Sequence, residues 1–305
     1  NKYLDGEDKS LGIIACGIAY NYLMENFKDG CPHPVLKVSQ YPLPVNAVRR
    51  LASKCQSLLV LEDGQPVVEE MLLGVLEQSV RIEGRLSGAV PRTGELTPDN
   101  VASALGLKNE EVFAPSELVM PRPPALCRGC GHRDMFAALN NVLGEYSNPR
   151  VFGDIGCYTL GYLPPYQALH SVVDMGASIT MAKGAADAGQ WPSVAVIGDS
   201  TFTHSGMTGL LDAVNSKSNI VIIISDNLTT GMTGGQDSAG TGRIESICLG
   251  IGVEPEHVRT VIPLPKNMAE MEDIIRQEIE YQGVSVIVPR RECIQTARRH
   301  AKQTK

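Results

Sequence analysis

The sequence predicts an α/β protein built from two doubly wound domains, and three observations carry that prediction. Short apolar runs of strand length alternate with segments of helical spacing, which implies parallel sheets covered on both faces. Two runs, Val194-Ala-Val-Ile197 and Ile220-Val-Ile-Ile-Ile224, are uninterrupted by polar residues, as in a strand buried on both sides. The length of 305 residues accommodates about two domains of ordinary size.

The first domain is expected over residues 1–83. Leu11-Gly-Ile-Ile-Ala-Cys16 reads as a strand, and Gly17 opens a turn into a helix through Tyr20-Asn-Tyr-Leu-Met24. Gly17 lacks the dinucleotide-binding fingerprint, so its turn reads as structural before phosphate-binding. Val35-Leu-Lys-Val38 is the next strand, and Val45 to Lys54 the next helix, after the break at Tyr41-Pro-Leu-Pro44. Ser57-Leu-Leu-Val-Leu-Glu62 and Pro66 to Leu73 repeat the pattern. Residues 84–125 are expected to be a linker wrapping the surface, because prolines fall at 91, 98, 115, 121, 123 and 124. Within it, Thr97-Pro98 before Val101-Ala-Ser-Ala-Leu105 predicts a short capped helix with proline in its first turn. The second domain is expected over residues 126–305.

Composition narrows the class. Hydrophobic content of 43% and charged content of 20% suit a globular protein. No stretch approaches the ~20 apolar residues of a membrane span. A net charge of −7 without a basic stripe argues against nucleic-acid binding; the tail Arg298-Arg299-His300-Ala301-Lys302 reads as a solvated end. Eight cysteines without secretory features predict a reducing, cytoplasmic setting. The chain opens at Asn1 rather than Met, which sets the expectation of processing, trimming or a piece of a longer polypeptide.

The chemistry concentrates between the two buried runs. Gly198-Asp199-Ser200 follows the first, and Asp226-Asn227 follows the second. Gly209-Leu-Leu-Asp-Ala-Val214 between them has helical spacing, giving strand, turn, helix, strand. A right-handed parallel crossover places both turns at the carboxyl edge of one sheet. Asp199 and Asn227, 28 positions apart, can then converge on one cation. A carboxylate and an amide oxygen suit Mg²⁺, which is commonly completed by phosphate oxygens. Gly198, Ser200 and Thr201 in the strand-to-helix turn can give backbone and hydroxyl hydrogen bonds to phosphate. Cys127-x-x-Cys130 reads as a ligand pair on a turn, whereas Cys16, Cys31, Cys55 and Cys248 read as packing residues.

These strings resemble a known family. Glycine-aspartate-glycine followed by asparagine about thirty residues later marks thiamine-diphosphate enzymes; Ser200 departs from that pattern at its third position. Gly198-Asp-Ser-Thr-Phe-Thr-His-Ser-Gly-Met207 and Asp226-Asn-Leu-Thr-Thr-Gly-Met-Thr-Gly-Gly-Gln236 are similar to the large subunit of indolepyruvate ferredoxin oxidoreductases, among the 2-oxoacid:ferredoxin oxidoreductases. Pro123-Pro-Ala-Leu-Cys-Arg-Gly-Cys-Gly-His132, Gly153-Asp-Ile-Gly-Cys-Tyr-Thr-Leu-Gly161 and Asp174-Met-Gly-Ala-Ser178 match in the same order. The likeness runs from about residue 10 to about residue 295 and is most specific over 123–240.

The resemblance implies a domain like the carboxyl-terminal domain of transketolase, followed by a domain binding the cofactor's diphosphate. It implies Asp199, Asn227 and the Thr229 carbonyl as Mg²⁺ ligands, and Met175 as the wedge that bends thiamine diphosphate, with a core methionine as the alternative. It adds Cys157 and Cys293 to Cys127 and Cys130 as ligands of a [4Fe–4S] cluster; a structural zinc ion or plain apolar packing stays open. His132 and His204 are its candidates for orienting substrate or moving a proton, and Thr233 and Gln236 for touching cofactor or substrate. The implied reaction is oxidative decarboxylation of an aryl 2-oxoacid to an acyl-CoA, with electrons passed to ferredoxin. No segment resembles the pyrimidine-binding domain that supplies a catalytic glutamate, so another domain or second subunit is expected, in a multimer. The family's ferredoxin-like cysteine runs are also missing, so electrons are expected to leave through another chain or a part of the protein outside this sequence. Two rivals stay open: a non-oxidative decarboxylase or carboligase, and a non-catalytic diphosphate-binding subunit.

Overall fold

A computed structural model describes residues 1–76, 80–107 and 116–303. The chain divides into two compact units, Asn1–Met120 and Pro121–Lys305.

The first unit holds a five-stranded sheet of β1 (Lys2–Leu4), β2 (Leu11–Cys16), β3 (Val35–Val38), β4 (Ser57–Leu61) and β5 (Arg81–Glu83), in the order β1-β3-β2-β4-β5. Every pairing is parallel except β1 with β3. The three strands read from apolar runs form the centre, and helices Ala19–Glu25, Val45–Ala52 and Val67–Val75 follow them in turn. The two short edge strands carry Lys2, Arg81 and Glu83, so they lack the apolar run that marks a buried strand. Gly17 starts its turn at φ +55, a conformation glycine takes without strain.

The expected linker begins too early. Val90, Leu96 and Val101 are buried against Ile13, Ala15, Leu59 and Leu61, closing the second face of the first sheet. Without them those four apolar side chains would meet water, so this span contributes Val90, Leu96 and Val101 to the core rather than only crossing the surface. Pro115, counted above among the linker prolines, lies outside the described residues. The short helix is present as Pro98–Ala104, closed by a capping box between Thr97 and Asn100. Arg85 is buried and donates to the carbonyls of Glu62 (3.0 Å), Pro91 (2.7 Å) and Gly94 (3.2 Å), which fixes the turn of this segment.

The second unit holds six parallel strands: β6 (Arg150–Gly153), β7 (Ser171–Val172), β8 (Ser193–Gly198), β9 (Ile220–Ser225), β10 (Val258–Val261) and β11 (Val284–Pro289). Their order is β10-β11-β9-β8-β6-β7. Alternation sends Val194, Val196, Val221 and Ile223 to one face, under helices Gly131–Leu143 and Met268–Glu280. Ala195, Ile197, Ile222 and Ile224 face the other way, under helices Ala177–Asp187, Met207–Ser216 and Ile244–Ile251. Adjacent β8 and β9 end level, with Gly198 opposite Ser225, so Asp199 and Asp226 leave the same sheet edge. Among the described residues no helix is long and apolar enough to cross a membrane.

Arg85→Met should destabilise the first unit by about 3 kcal/mol, because one buried and two part-buried carbonyls lose the donor they share. Urea titration followed by circular dichroism measures this; a loss below about 1 kcal/mol would contradict the role given to Arg85.

Candidate active site at the carboxyl edge of the second sheet

β8 runs without a loop into a helical turn, Asp199–Thr201, continued by a π-helical turn, Phe202–Gly206, and then by Met207–Ser216. The first backbone N–H groups of a helix lack intrahelical partners and face the sheet edge, a ready site for anions. Glycine is required at 198 because a Cβ there would lie 2.6 Å from the Tyr158 ring. Tyr158 is itself fixed, its hydroxyl donating to the Ile155 carbonyl at 2.8 Å.

One pocket at this edge is lined by Gly198, Asp199, Ser200, Thr201, Asn227 and Thr229, with Met175 and Thr233 at its sides. The eight residues the sequence assigns to cofactor binding therefore meet around one space. Asp199 is 2% exposed, and its Oδ2 is buried with no hydrogen-bond partner. Burial pushes its carboxyl up to about 6; the Ser238 side chain opposes the shift and the Asp226 carboxylate adds to it. An unpaired buried carboxylate oxygen is the acceptor a hard cation would satisfy. Asn227 Oδ1 accepts from Thr229 N at 3.1 Å and keeps a second lone pair. Ser200 and Thr230 share a hydroxyl hydrogen bond of 2.7 Å, and Thr201 donates to the Ile155 carbonyl at 2.9 Å. Met175 is 38% exposed, so it is a pocket wall and not a core residue. Thr233 donates to Gln236 Oε1 at 2.7 Å, bracing the outer loop.

A second pocket adjoins the first and is lined by Cys127, Cys130, Cys157 and Cys293 together with His132. All four cysteines are free thiols. Gly129, at φ +81, makes the turn between Cys127 and Cys130. Burial raises the Cys130 and Cys157 thiols, the latter to about 11. Among the described residues no three His, Cys, Asp or Glu side chains converge as ligands of one ion. The four thiols border one cavity and are the donor type that either an iron–sulfur cluster or a zinc ion takes. Cys157, Asn227 and Gly231 line both pockets.

The histidines divide. His132 is 3% exposed on the first turn of helix Gly131–Leu143, stands edge-on to Tyr158, and has neither ring nitrogen bonded. Burial lowers its pKa to about 4, keeping the ring neutral. It faces the cysteine pocket. His204 is exposed and lines neither pocket; its Nδ1 meets Ser205 Oγ at 3.0 Å. The helical turn carries residue 204 off the pocket side, although it follows Asp199 by only five positions.

Three residues without an assigned part in the sequence reading prove structural to the site. Arg290 pairs with buried Asp226 at 2.6 Å and with Glu245 at 2.8 Å, drawing Glu245 down to about 2. Arg291 N donates to the Asp226 carbonyl (2.9 Å) and Cys293 N to the Asn227 carbonyl (3.0 Å), so the segment after β11 holds the Asp226–Asn227 turn in place. Asp154, inside the quoted string Gly153-Asp-Ile-Gly-Cys157, is fully buried beneath Met175 and Gly176.

Comparison with known proteins agrees with this geometry. Residues 154–288, within the second unit, match the family described as thiamine pyrophosphate enzyme, C-terminal TPP binding domain. More narrowly, the chain is similar to proteins named indolepyruvate oxidoreductase subunit IorA. It is 36% identical to that subunit from Archaeoglobus fulgidus, over 95% of this chain and 50% of the relative, and 36% identical to that from Methanothermobacter marburgensis, over 96% and 51%. The chain thus spans about half the length of the curated relatives it matches. Among solved structures, a 2-oxoglutarate:ferredoxin oxidoreductase from Magnetococcus marinus, with 2-oxoglutarate, coenzyme A and succinyl-CoA bound, aligns at 17% identity and a TM-score of 0.47, covering 57% of this chain and 66% of that one.

The raised Asp199 pKa has a definite sign. A carboxyl that binds its proton more tightly when folded stabilises the fold below about pH 4, and that contribution is lost as pH rises to about 6. Neutral His132 acts oppositely, its contribution being lost as pH falls from 6.5 to about 4. Comparing metal-free parent with Asp199→Asn isolates the carboxylate. The parent should lose about 3 kcal/mol relative to the variant between pH 4 and pH 6, read from denaturant midpoints; parallel pH profiles would contradict the burial of a free carboxyl.

Proposed function

We propose that this chain supplies the diphosphate-and-metal half of a thiamine-diphosphate site in a 2-oxoacid:ferredoxin oxidoreductase acting on an aryl, indolepyruvate-like 2-oxoacid. The observation that carries the proposal is the buried, unpartnered Asp199 Oδ2 beside Asn227 at the carboxyl ends of two adjacent parallel strands. Asp199 Oδ2, Asn227 Oδ1 and the Thr229 carbonyl would hold Mg²⁺ against the diphosphate, while Gly198, Ser200 and Thr201 donate to phosphate oxygens. Met175 and Thr233 line the same pocket and would flank the thiazolium. Cys127, Cys130, Cys157 and Cys293 would hold a [4Fe–4S] cluster next to it.

Bound there, thiamine diphosphate supplies the nucleophilic carbon and electron sink for 2-oxoacid decarboxylation, and the cluster a nearby one-electron acceptor. The chain's own residues position and desolvate. Tyr158 packs over Gly198 in the lining of the pocket. His132, neutral at physiological pH, can offer one N–H and one lone pair without bringing a charge into the cavity. Coenzyme A would take the acyl group, and ferredoxin the electrons. Another domain or second subunit, in a multimer, would cover the pyrimidine half of the cofactor and bring the glutamate that acts on it.

The relatives' names support the reaction class and the aryl substrate. The short distance between the pockets supports electron transfer out of the site, since Cys157, Asn227 and Gly231 belong to both.

Anaerobically purified protein should contain about four irons and four acid-labile sulfides per chain together with thiamine diphosphate. Asp199→Ala should abolish Mg²⁺-dependent cofactor binding, and Cys127→Ser should remove the iron. Cofactor without iron would contradict the ferredoxin-linked reaction; near-normal cofactor affinity in Asp199→Ala would contradict the metal assignment.

A further inference from the structure

Asp154 follows the last residue of β6 and is fully buried. Its Oδ1 accepts from Ile155 N (2.9 Å) and Gly176 N (2.9 Å), and its Oδ2 from Gly176 N (3.0 Å) and Ser178 N (3.0 Å). Among the described residues no cationic side chain pairs with it, so backbone amides alone answer the carboxylate. Two of those amides belong to the first turn of helix Ala177–Asp187, where N–H groups are left over and the helix dipole favours negative charge. The remaining amide is that of Ile155, whose carbonyl receives the Thr201 and Tyr158 hydroxyls.

Met175 sits directly before this grip. Gly176 takes φ +98, and a Cβ there would lie 2.8 Å from the Ser205 carbonyl oxygen. On the opposite side Ser205 Oγ donates to the Met175 carbonyl at 2.5 Å, and His204 Nδ1 meets the same Oγ at 3.0 Å. Since the Ser205 proton is committed to Met175, the His204 ring donates to Ser205. The peptide after Met175 is therefore held at its N–H by Asp154 and at its C=O by Ser205. A side chain on a backbone held at both polar groups has one height in the pocket.

We infer that Asp154 is a positioning residue: it fixes the Met175–Gly176 peptide so that Met175 stands in the cofactor pocket, and it ties that height to the diphosphate turn through Ile155 and Thr201. The inference rests on the cofactor reading above. It gives His204 a part as well, as the outer member of the Ser205 chain rather than a group that meets substrate.

Two probes separate positioning from general damage. Thiamine diphosphate with Mg²⁺ needs both the phosphate turn and Met175; inorganic pyrophosphate with Mg²⁺ needs only the phosphate turn. Titration calorimetry on the parent, Asp154→Asn, Met175→Ala and the double variant should show thiamine diphosphate weakened about tenfold in each single variant. The double variant should be no weaker than the worse single, and pyrophosphate affinity should stay within about twofold throughout. Ser205→Ala, which leaves Asp154 untouched, should show the same non-additivity with Met175→Ala, and it decides the matter should Asp154→Asn fail to fold. A parent that binds neither probe overturns the cofactor reading and this inference with it. A parent that binds both, with variants that weaken both probes alike or add fully to Met175→Ala, overturns the positioning role alone.

Discussion

A carboxylate oxygen taken out of water without a partner is costly, and the second unit is organised around one. Asp199 Oδ2 lies buried and without a hydrogen-bond partner where β8 becomes a helix. The Tyr158 ring packs over Gly198, and the nearby Asp226 carboxylate is already taken by Arg290. The side chain is thereby kept acceptor-rich and donor-poor at the point where the helix offers free N–H groups. A cation chelated by a diphosphate complements both at once, metal to the carboxylate and phosphate to the amides. Without that guest the same arrangement raises the carboxyl to about 6.

The two pockets are mechanically one object. Cys293 N bonds to the Asn227 carbonyl, Arg291 N to that of Asp226, and the Arg290 guanidinium bridges Asp226 to Glu245. The turn that carries the candidate metal ligands is thus built against the segment that carries one candidate cluster thiol. Asp154 does the same on the other side, joining the end of β6 to the Met175 turn and, through Ile155, to Thr201. Buried polar groups fully satisfied by backbone partners rigidify what they join, which is what a site that must hold a cofactor in one shape requires.

Much of this was legible in the sequence because it rests on local pattern. Leu11–Cys16, Val35–Val38 and Ile220–Ser225 are short and predominantly apolar, and the Thr97 cap precedes its proline as a capped helix demands. Asp199 and Asn227 were legible because each follows such a run within three residues. The Arg290–Asp226 pair spans 64 positions and the Asp154–Gly176 bond 22, so neither leaves a periodic trace. The stretch from Arg85 to Val101 read as a linker because its prolines and glycines interrupt every apolar run; only the bare face of the first sheet shows why Val90, Leu96 and Val101 are buried. His204 was misplaced because spacing along the chain says nothing of the direction in which a π-helical turn faces.

The central claim is that Asp199 and a diphosphate share one cation. Mn²⁺ substituted for Mg²⁺ makes that contact directly visible by electron–nuclear double resonance. The account predicts that Mn²⁺ binds tightly only with thiamine diphosphate present and then shows ³¹P hyperfine coupling, both lost in Asp199→Asn. Tight Mn²⁺ binding without ³¹P coupling, or coupling that survives in Asp199→Asn, would contradict it.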